Sequence, residues 1–293
     1  MTDVFGIPLP ALMGQLTVGM INGAFYALMS LGLTLIFGML RVINFTHGAQ
    51  FTLGAFGAWA LQNYLGISYW WALILVPLPI GLISMVFERT LLKRLYDMDH
   101  LFQLLLTIGL ALIIEGILGG SYGSSGKPYN NPLPGGFNLG FMFLPYYRAW
   151  VLTASFVLCF GAWFAIERTR LGATLRAATD NRELVRTFGI NVPRMMTLTY
   201  GVGVTLAALA GVMAAPMAQV QPQMGSGLVI TVFAVVVIGG MGSILGSVII
   251  GFALGLLEAI TKIYYPPLSG VVIFIIMVLV ILVKPHGLFG RRA

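Results

Sequence analysis

Long apolar stretches alternate with short polar ones along almost the whole chain. Crossing a hydrocarbon core of about 30 Å takes roughly 20 apolar residues in an α-helix, and a helix satisfies its own backbone polar groups in lipid. The pattern therefore predicts an all-α, polytopic membrane protein. About eight membrane-spanning units are expected, at 9–40, 51–65, 70–87, 101–120, 150–166, 195–218, 228–260 and 268–283.

Two of these runs are longer than an upright span requires. Run 9–40 would measure about 48 Å as a single helix at 1.5 Å per residue. Run 228–260 contains Gly239, Gly240 and Gly242 near its middle, which predicts a broken helix or a hairpin that enters from the outer side. Two roles stay open for these glycines and the following Ser243: a pathway-lining break or hinge, or a tight turn between two packed helices.

Other glycines are spaced by four residues within the apolar runs. Gly19 with Gly23, and Gly251 with Gly255, have the spacing that lets membrane helices approach closely. We therefore expect these pairs to lie at helix contacts.

The composition changes the picture only by excluding other classes of protein. The chain is 58% hydrophobic and 9% charged, far from a soluble domain. Its three histidines are widely separated, and the chain contains neither a C-x-x-C pair nor a G-x-S-x-G elbow. We therefore predict a protein that is not an enzyme and that binds no cofactor or metal.

Basic residues give a prediction of orientation. Of the 16 Lys and Arg, 13 fall in four places, which the positive-inside rule assigns to the cytoplasm. The other three, Lys127, Arg148 and Lys262, are then outside, so the net charge of +7 reflects membrane asymmetry and not nucleic-acid binding. The four cytoplasmic places are Arg41, the segment 88–100, the loop 167–194 and the tail with Lys284, Arg291 and Arg292.

The longest polar stretches are 121–148, predicted outside, and 167–194, predicted inside. Neither is long enough to form an appended soluble domain, so residues 1–293 are expected to form a single membrane domain. The opening MTDVFGIPLP has no basic region and no small-residue cleavage site. We expect the first apolar run to be a retained helix.

Polar side chains within apolar surroundings are the candidates for a transport pathway. Asn44, Thr46, His47 and Gln50 lie together between two apolar runs. They have two interpretations: a cytoplasmic turn with a helix N-cap, or a polar kink that lines a pathway.

Acidic residues within the spans are a second set of candidates. Glu115 and Glu258 have apolar neighbours, and an ionised group at the centre of a membrane helix costs about 2.5–3.5 kcal/mol on insertion scales. We expect both to face the bundle interior, either on the pathway or as hydrogen-bonded structural carboxyls. Glu88 and Glu167 precede Arg89 and Arg168, which predicts pairing at the interface.

Four blocks of sequence, 32–56, 168–191, 207–216 and 233–259, closely resemble the H-type permease subunit of branched-chain amino-acid ABC transporters. The resemblance implies a multi-pass permease in a bacterial or archaeal inner membrane. It also implies partners: a second permease of the M type, two cytoplasmic ATPase subunits and an extracytoplasmic binding protein.

Within that resemblance, the loop 167–194 corresponds to a degenerate coupling motif, with Arg182 at the place of its central glycine. A short helix over 179–187, capped by Asp180 or Asn181, is expected to contact the ATPase. The alternative is a loop that merely obeys topology and touches anionic lipid. The coupling candidates are Arg176, Asp180, Arg182, Glu183, Arg186 and Gly189.

The function expected from this resemblance is ATP-driven import of branched-chain or other hydrophobic amino acids. The same scaffold could instead carry urea or short-chain amides. A passive channel would not need the arginine-rich loop, and an ion-coupled transporter would use Glu115 or Glu258 as a proton site.

Overall fold

The computed structural model describes residues 3–4, 7–140 and 142–290. Arg291 and Arg292 of the predicted basic tail lie outside the described residues. Two short antiparallel ribbons, β1 (Asp3–Val4) with β2 (Ile7–Pro8) and β3 (Gly136–Asn138) with β4 (Phe143–Pro145), accompany the helices. The helices are α1 (Leu9–Leu40), α2 (Thr46–Leu65), α3 (Tyr69–Leu75), α4 (Pro77–Thr90), α5 (His100–Tyr122), α6 (Tyr146–Arg168), α7 (Arg170–Asp180), α8 (Arg182–Thr187), α9 (Val192–Ala214), α10 (Met224–Gly239), α11 (Ile244–Tyr264) and α12 (Val272–Val283).

The predicted all-α polytopic class is confirmed, and the predicted count of about eight spans is approximate. Within the described residues, six helical segments are long and apolar enough to cross a membrane. They are α1, the segment Tyr69–Leu95, α5, α6, α9 and α11. The helices α10 and α12 are apolar but shorter. The run 228–260 is divided between α10 and α11, which pack against each other as a helical hairpin, as expected.

The first run forms one uninterrupted helix, α1, which is largely buried and packs most extensively along α11. The glycine pairs lie at this contact: a Cβ added to Gly255 would be 2.4 Å from the Cα of Gly23, and one on Gly19 would be 2.8 Å from the Gly255 carbonyl oxygen. The two backbones therefore touch. This close approach confirms the packing role predicted from the spacing.

The helix α2 begins inside the bundle. After α1 ends at Leu40, residues 41–45 run without helical structure back into the protein, where Val42 and Asn44 are buried. The Phe45 and Phe233 rings lie 6.2 Å apart, and a Cβ on Gly48 would be 2.5 Å from the carbonyl oxygen of Gly225. Gly225 is near the start of α10, far along that helix from its end at Gly239.

The basic clusters meet at one end of the bundle, which we call the basic end. One cavity of about 670 Å³ is lined there by Arg41, Glu167 and Arg176 together with His286, shortly after α12. A second, of about 680 Å³, is lined by residues of the 88–100 segment and the 167–194 loop. Arg41, the 88–100 segment, the 167–194 loop and the described part of the tail thus lie at the same end of the bundle.

Candidate functional site

The predicted polar cluster surrounds the buried start of α2. The side chains of Asn44, Thr46, His47 and Gln50 are each at most 3% exposed. The Thr46 hydroxyl donates to the carbonyl oxygen of Thr107 at 2.8 Å, and the Asn44 amide donates to Gln50 Oε1 at 3.4 Å. The polar groups are therefore held by hydrogen bonds within the bundle.

His47 completes this cluster with a defined proton position. Its Nε2 lies 3.0 Å from the carbonyl oxygen of Met29 in α1. A carbonyl can only accept, so Nε2 carries the proton, and Nδ1 has no hydrogen-bond partner among the described residues.

Three buried polar atoms at the start of α2 have no hydrogen-bond partner among the described residues: Asn44 Oδ1, His47 Nδ1 and the hydroxyl of Tyr200. An unsatisfied buried polar group costs about 1–3 kcal/mol. The Tyr200 hydroxyl lies close to the side chains of Asn44 and Gln50, but its distances and angles to them are not those of a hydrogen bond. The cluster thus has unused hydrogen-bonding capacity.

The side-chain N-cap expected for a cytoplasmic turn is not formed at the start of α2. The N-cap residue of α2 is Phe45, which supplies no side-chain cap. The four polar side chains are buried instead of solvated. A role on the transport pathway stays a prediction.

The glycine segment after α10 forms a tight turn at the basic end. Gly240 and Gly242 have φ angles of +100° and +92°, in the region that favours glycine. Ser243 caps α11 by accepting from the Gly246 N–H at 3.2 Å. The described tail packs on the turn, since Leu288 N–H donates to the Ile238 carbonyl at 2.8 Å.

The two mid-span carboxylates lie in different surroundings. Glu258 of α11 is partly buried and accepts a hydrogen bond of 2.7 Å from the Tyr26 hydroxyl of α1. Glu115 is also partly buried, but its neighbours on α5, Leu112 and Ile117, are exposed. Glu258 therefore joins two packed helices, whereas Glu115 lies on a helix with little cover from the rest of the chain.

The predicted pairing of Glu88 and Glu167 with the adjacent arginines is wrong. Glu88 is buried and accepts hydrogen bonds from the hydroxyls of Tyr96 and Thr197, the latter at 2.6 Å. Glu167 pairs with Arg176 at 3.4 Å, one helix further along. Neighbours in sequence on a helix point in different directions, so folding selects other partners.

The polar loop between α6 and α9 contains two helices where one was expected over 179–187. The helix α7 ends at Asp180, and α8 begins at Arg182. Asn181 separates them because its Oδ1 accepts from the Leu184 N–H at 3.0 Å and so caps α8. Of the two predicted caps, Asn181 is the one used.

Two of the predicted coupling residues turn toward the bundle. The guanidinium of Arg176 donates to the Ile166 carbonyl at the end of α6, and that of Arg182 donates to the Met39 carbonyl at 2.5 Å. Met39 lies in the last turn of α1. Burial and the nearby Arg41 lower the pKa of Arg182. Arg182 therefore joins α8 rigidly to the end of α1.

The other four candidates, Asp180, Glu183, Arg186 and Gly189, are exposed. Beside them the structure exposes two apolar side chains: Leu184 is 55% exposed and Phe188 is 75% exposed. Val185, between them, is buried. Phe188 directly follows the predicted helix 179–187 in sequence. An apolar residue at the end of a polar helix could have identified it as a candidate contact.

Comparison with known proteins decides the family. The family model described as "Branched-chain amino acid transport system / permease component" matches residues 15–281. The chain belongs to this family. It is therefore a transporter subunit and a multi-pass membrane protein, in agreement with its apolar helices.

Individual relatives agree with the family match. The high-affinity branched-chain amino acid transport system permease protein BraD of Pseudomonas aeruginosa is 30% identical, over 94% of this chain and 95% of that protein. The corresponding LivH of Escherichia coli K12 is 27% identical over the same shares. The E. coli ribose import permease protein RbsC is 29% identical over 59% of this chain and 58% of its own length. Part of the scaffold is thus shared with a protein named for another cargo.

Proposed function

We propose that this chain is a permease subunit of an ATP-driven importer of branched-chain or other hydrophobic amino acids. The observation that carries the proposal is the family match over residues 15–281, together with relatives that span nearly the whole chain. Both of those relatives are named as branched-chain amino-acid permeases, which favours this cargo over urea or short amides.

The partners follow from that proposal. A second permease of the M type completes the membrane pathway, two separate cytoplasmic ATPase subunits hydrolyse ATP, and an extracytoplasmic binding protein delivers the amino acid. The whole of 1–293 acts as one permease domain in a cell inner membrane, with the 121–148 segment outside.

The ATPase contact in this proposal is the exposed surface of α8 and of the residues on either side of it: Asp180, Glu183, Leu184, Arg186, Phe188 and Gly189. Supporting it, the surface combines two exposed apolar side chains with charged ones, as the anchors of protein interfaces do. Arg176 and Arg182 transmit force instead of touching the ATPase, since each is bonded to the end of a membrane helix. Movement of α8 is thereby passed to α1 as a rigid body.

The pathway in this proposal passes the buried start of α2. A zwitterionic amino acid needs hydrogen-bonding groups in an apolar bundle, and the unpartnered Asn44 Oδ1, His47 Nδ1 and Tyr200 hydroxyl offer them. All are closed off in this conformation. Passage therefore requires α2 to separate from α1 and α9. The glycines Gly239, Gly240 and Gly242 serve as a rigid turn beside the exit, and Glu115 is assigned to a surface covered by another subunit.

The test begins with purification through a tag on this chain, followed by identification of co-purifying subunits and reconstitution in liposomes. Leucine uptake should require the binding protein and ATP and should continue when an uncoupler collapses the proton gradient. Uptake lost with the uncoupler while ATP remains would show ion coupling. Uptake without ATP would show a channel, and ATP-dependent uptake of urea in place of leucine would correct the cargo.

The pathway needs a second test. Asn44→Cys in a Cys159→Ala background should react with a water-soluble thiol reagent only in nucleotide states that open the path, because Asn44 is buried here. The background removes Cys159, the single cysteine of the sequence, so that any labelling comes from position 44. Absence of labelling in every nucleotide state would remove this cluster from the pathway.

A further inference from the structure

A recess of about 390 Å³ lies at the end of the bundle opposite the basic end. This volume is within the range of about 300–1,000 Å³ of small-molecule sites. Part of its wall is made by buried side chains, including Ile21, Phe25 and Phe51, so the recess extends into the core of the bundle. Its rim comes from α6, from the turn after α9 and from the start of α10.

One cation, Arg148, lines this mainly apolar recess. It lies near the start of α6 and is only partly exposed. Among the described residues the sole ion pair joins Arg176 to Glu167, so no described carboxylate neutralises Arg148. A guanidinium in this setting is well suited to bind a carboxylate through two parallel hydrogen bonds.

The opposite wall has hydrogen-bond acceptors on one face of α1. Asn22 and Tyr26 are four residues apart and both line the recess. The Tyr26 hydroxyl donates a hydrogen bond to Glu258 Oε2, 2.7 Å away, which leaves the lone pairs of the hydroxyl oxygen as acceptors. Such an oxygen, together with the Asn22 carbonyl oxygen, can accept hydrogen bonds from an ammonium group.

The remaining walls are apolar and adaptable. Val18 and Leu228 are aliphatic, and Met217 and Met224 add flexible thioethers. A wall of this kind accepts aliphatic side chains of several shapes with little discrimination between them.

We propose that this recess is a low-affinity site for an apolar α-amino acid, with Arg148 binding the carboxylate, Asn22 and Tyr26 binding the ammonium, and the methionine-lined wall holding the side chain. Glu258 is a positioning residue that acts through Tyr26. The proposal rests on the proposed function, because it places the incoming zwitterion at the outer end of the path. Low affinity is suited to this role, since the amino acid must leave inward.

Binding is measured by saturation-transfer NMR on the full transporter in lipid nanodiscs without the binding protein. The probes are L-leucine, L-leucinol, which lacks the carboxylate, and 4-methylpentanoate, which lacks the ammonium. We expect leucine to bind at least tenfold more tightly than either analogue, because each loses a charge-assisted hydrogen bond.

Arg148→Gln should weaken leucine binding about tenfold and bring leucine and leucinol to similar affinity, whereas Arg148→Lys should keep part of the preference. Tyr26→Phe should remove the preference for leucine over 4-methylpentanoate. Lys262→Gln, a cation at the same end but exposed and away from the recess, is the matched control and should bind like wild type.

Leucine binding that is unchanged in Arg148→Gln, or equal signals from leucine and leucinol in wild type, would overturn the proposal. Saturation transfer from the protein to the lipid acyl chains, with none to leucine, would also overturn the proposal. Uptake by the wild-type transporter, measured with ATP and the binding protein, distinguishes a failure of this site from a failure of the proposed function. If uptake occurs and the NMR preferences are absent, only this site is wrong; if uptake fails, the proposed function fails with it.

Discussion

One methyl group added at the turn, on Gly240, should have a large structural effect. At φ +100°, an alanine adopts a conformation that costs about 1–3 kcal/mol. Its Cβ would also lie 2.4 Å from the backbone nitrogen of Gly290, so the tail must move away. That movement breaks the hydrogen bonds from Leu288 and Phe289 to the end of α10, each contributing about 0.5–1.5 kcal/mol. Gly240→Ala should therefore destabilise the local structure by about 2–6 kcal/mol.

The measurement compares Gly240→Ala with Met241→Ala, a change at the next position, which is half exposed. Thermal unfolding in detergent, followed by size-exclusion chromatography, reports stability. Limited proteolysis reports release of the segment after Lys284. Gly240→Ala should unfold at lower temperature and lose the segment after Lys284 faster. Equal melting and equal proteolysis in the two variants would refute the argument that backbone conformation and tail contact require glycine here.

Three further outcomes are expected. Gly255→Val should destabilise the protein by disrupting the contact of α11 with α1, whereas Gly109→Val, where a Cβ meets nothing within 4 Å, should not; equal detergent stability of the two would contradict the packing role. Phe188→Asp should reduce co-purification of an ATPase subunit at least tenfold without loss of membrane insertion, and unchanged co-purification would remove Phe188 from the contact. Asn44→Ala should lower the maximal uptake rate more than it changes the apparent affinity, and the opposite result would argue against a place on the path.

Much of the fold was predictable because hydropathy reports burial in lipid directly. The boundaries of α1 and the hairpin of α10 and α11 follow from apolar length and from the glycines that interrupt it. The start of α2 could not be predicted in the same way. Its polar residues resemble a surface turn in sequence, but contacts with distant segments, such as that of Gly48 with Gly225, bring them inside.

The candidate site was only partly predictable for a related reason. Tyr200 lies in an apolar run and gives no local signal, although it joins the cluster of Asn44 and Gln50 in space. Arg182 appeared to be a surface charge because sequence alone cannot tell that the end of α1 lies beside it. The direction of a long side chain depends on a neighbour 143 residues away.

The buried start of α2 has a consequence for how the protein is made. During synthesis α2 leaves the ribosome well before α9 and α10, the helices that cover it. Until those helices arrive, Asn44, His47 and Gln50 have to remain in water or in the insertion machinery, since lipid offers them no hydrogen bonds. We therefore expect α2 to be among the last helices to reach its final position, so that biogenesis of this permease depends on keeping the polar start of α2 away from lipid in the meantime.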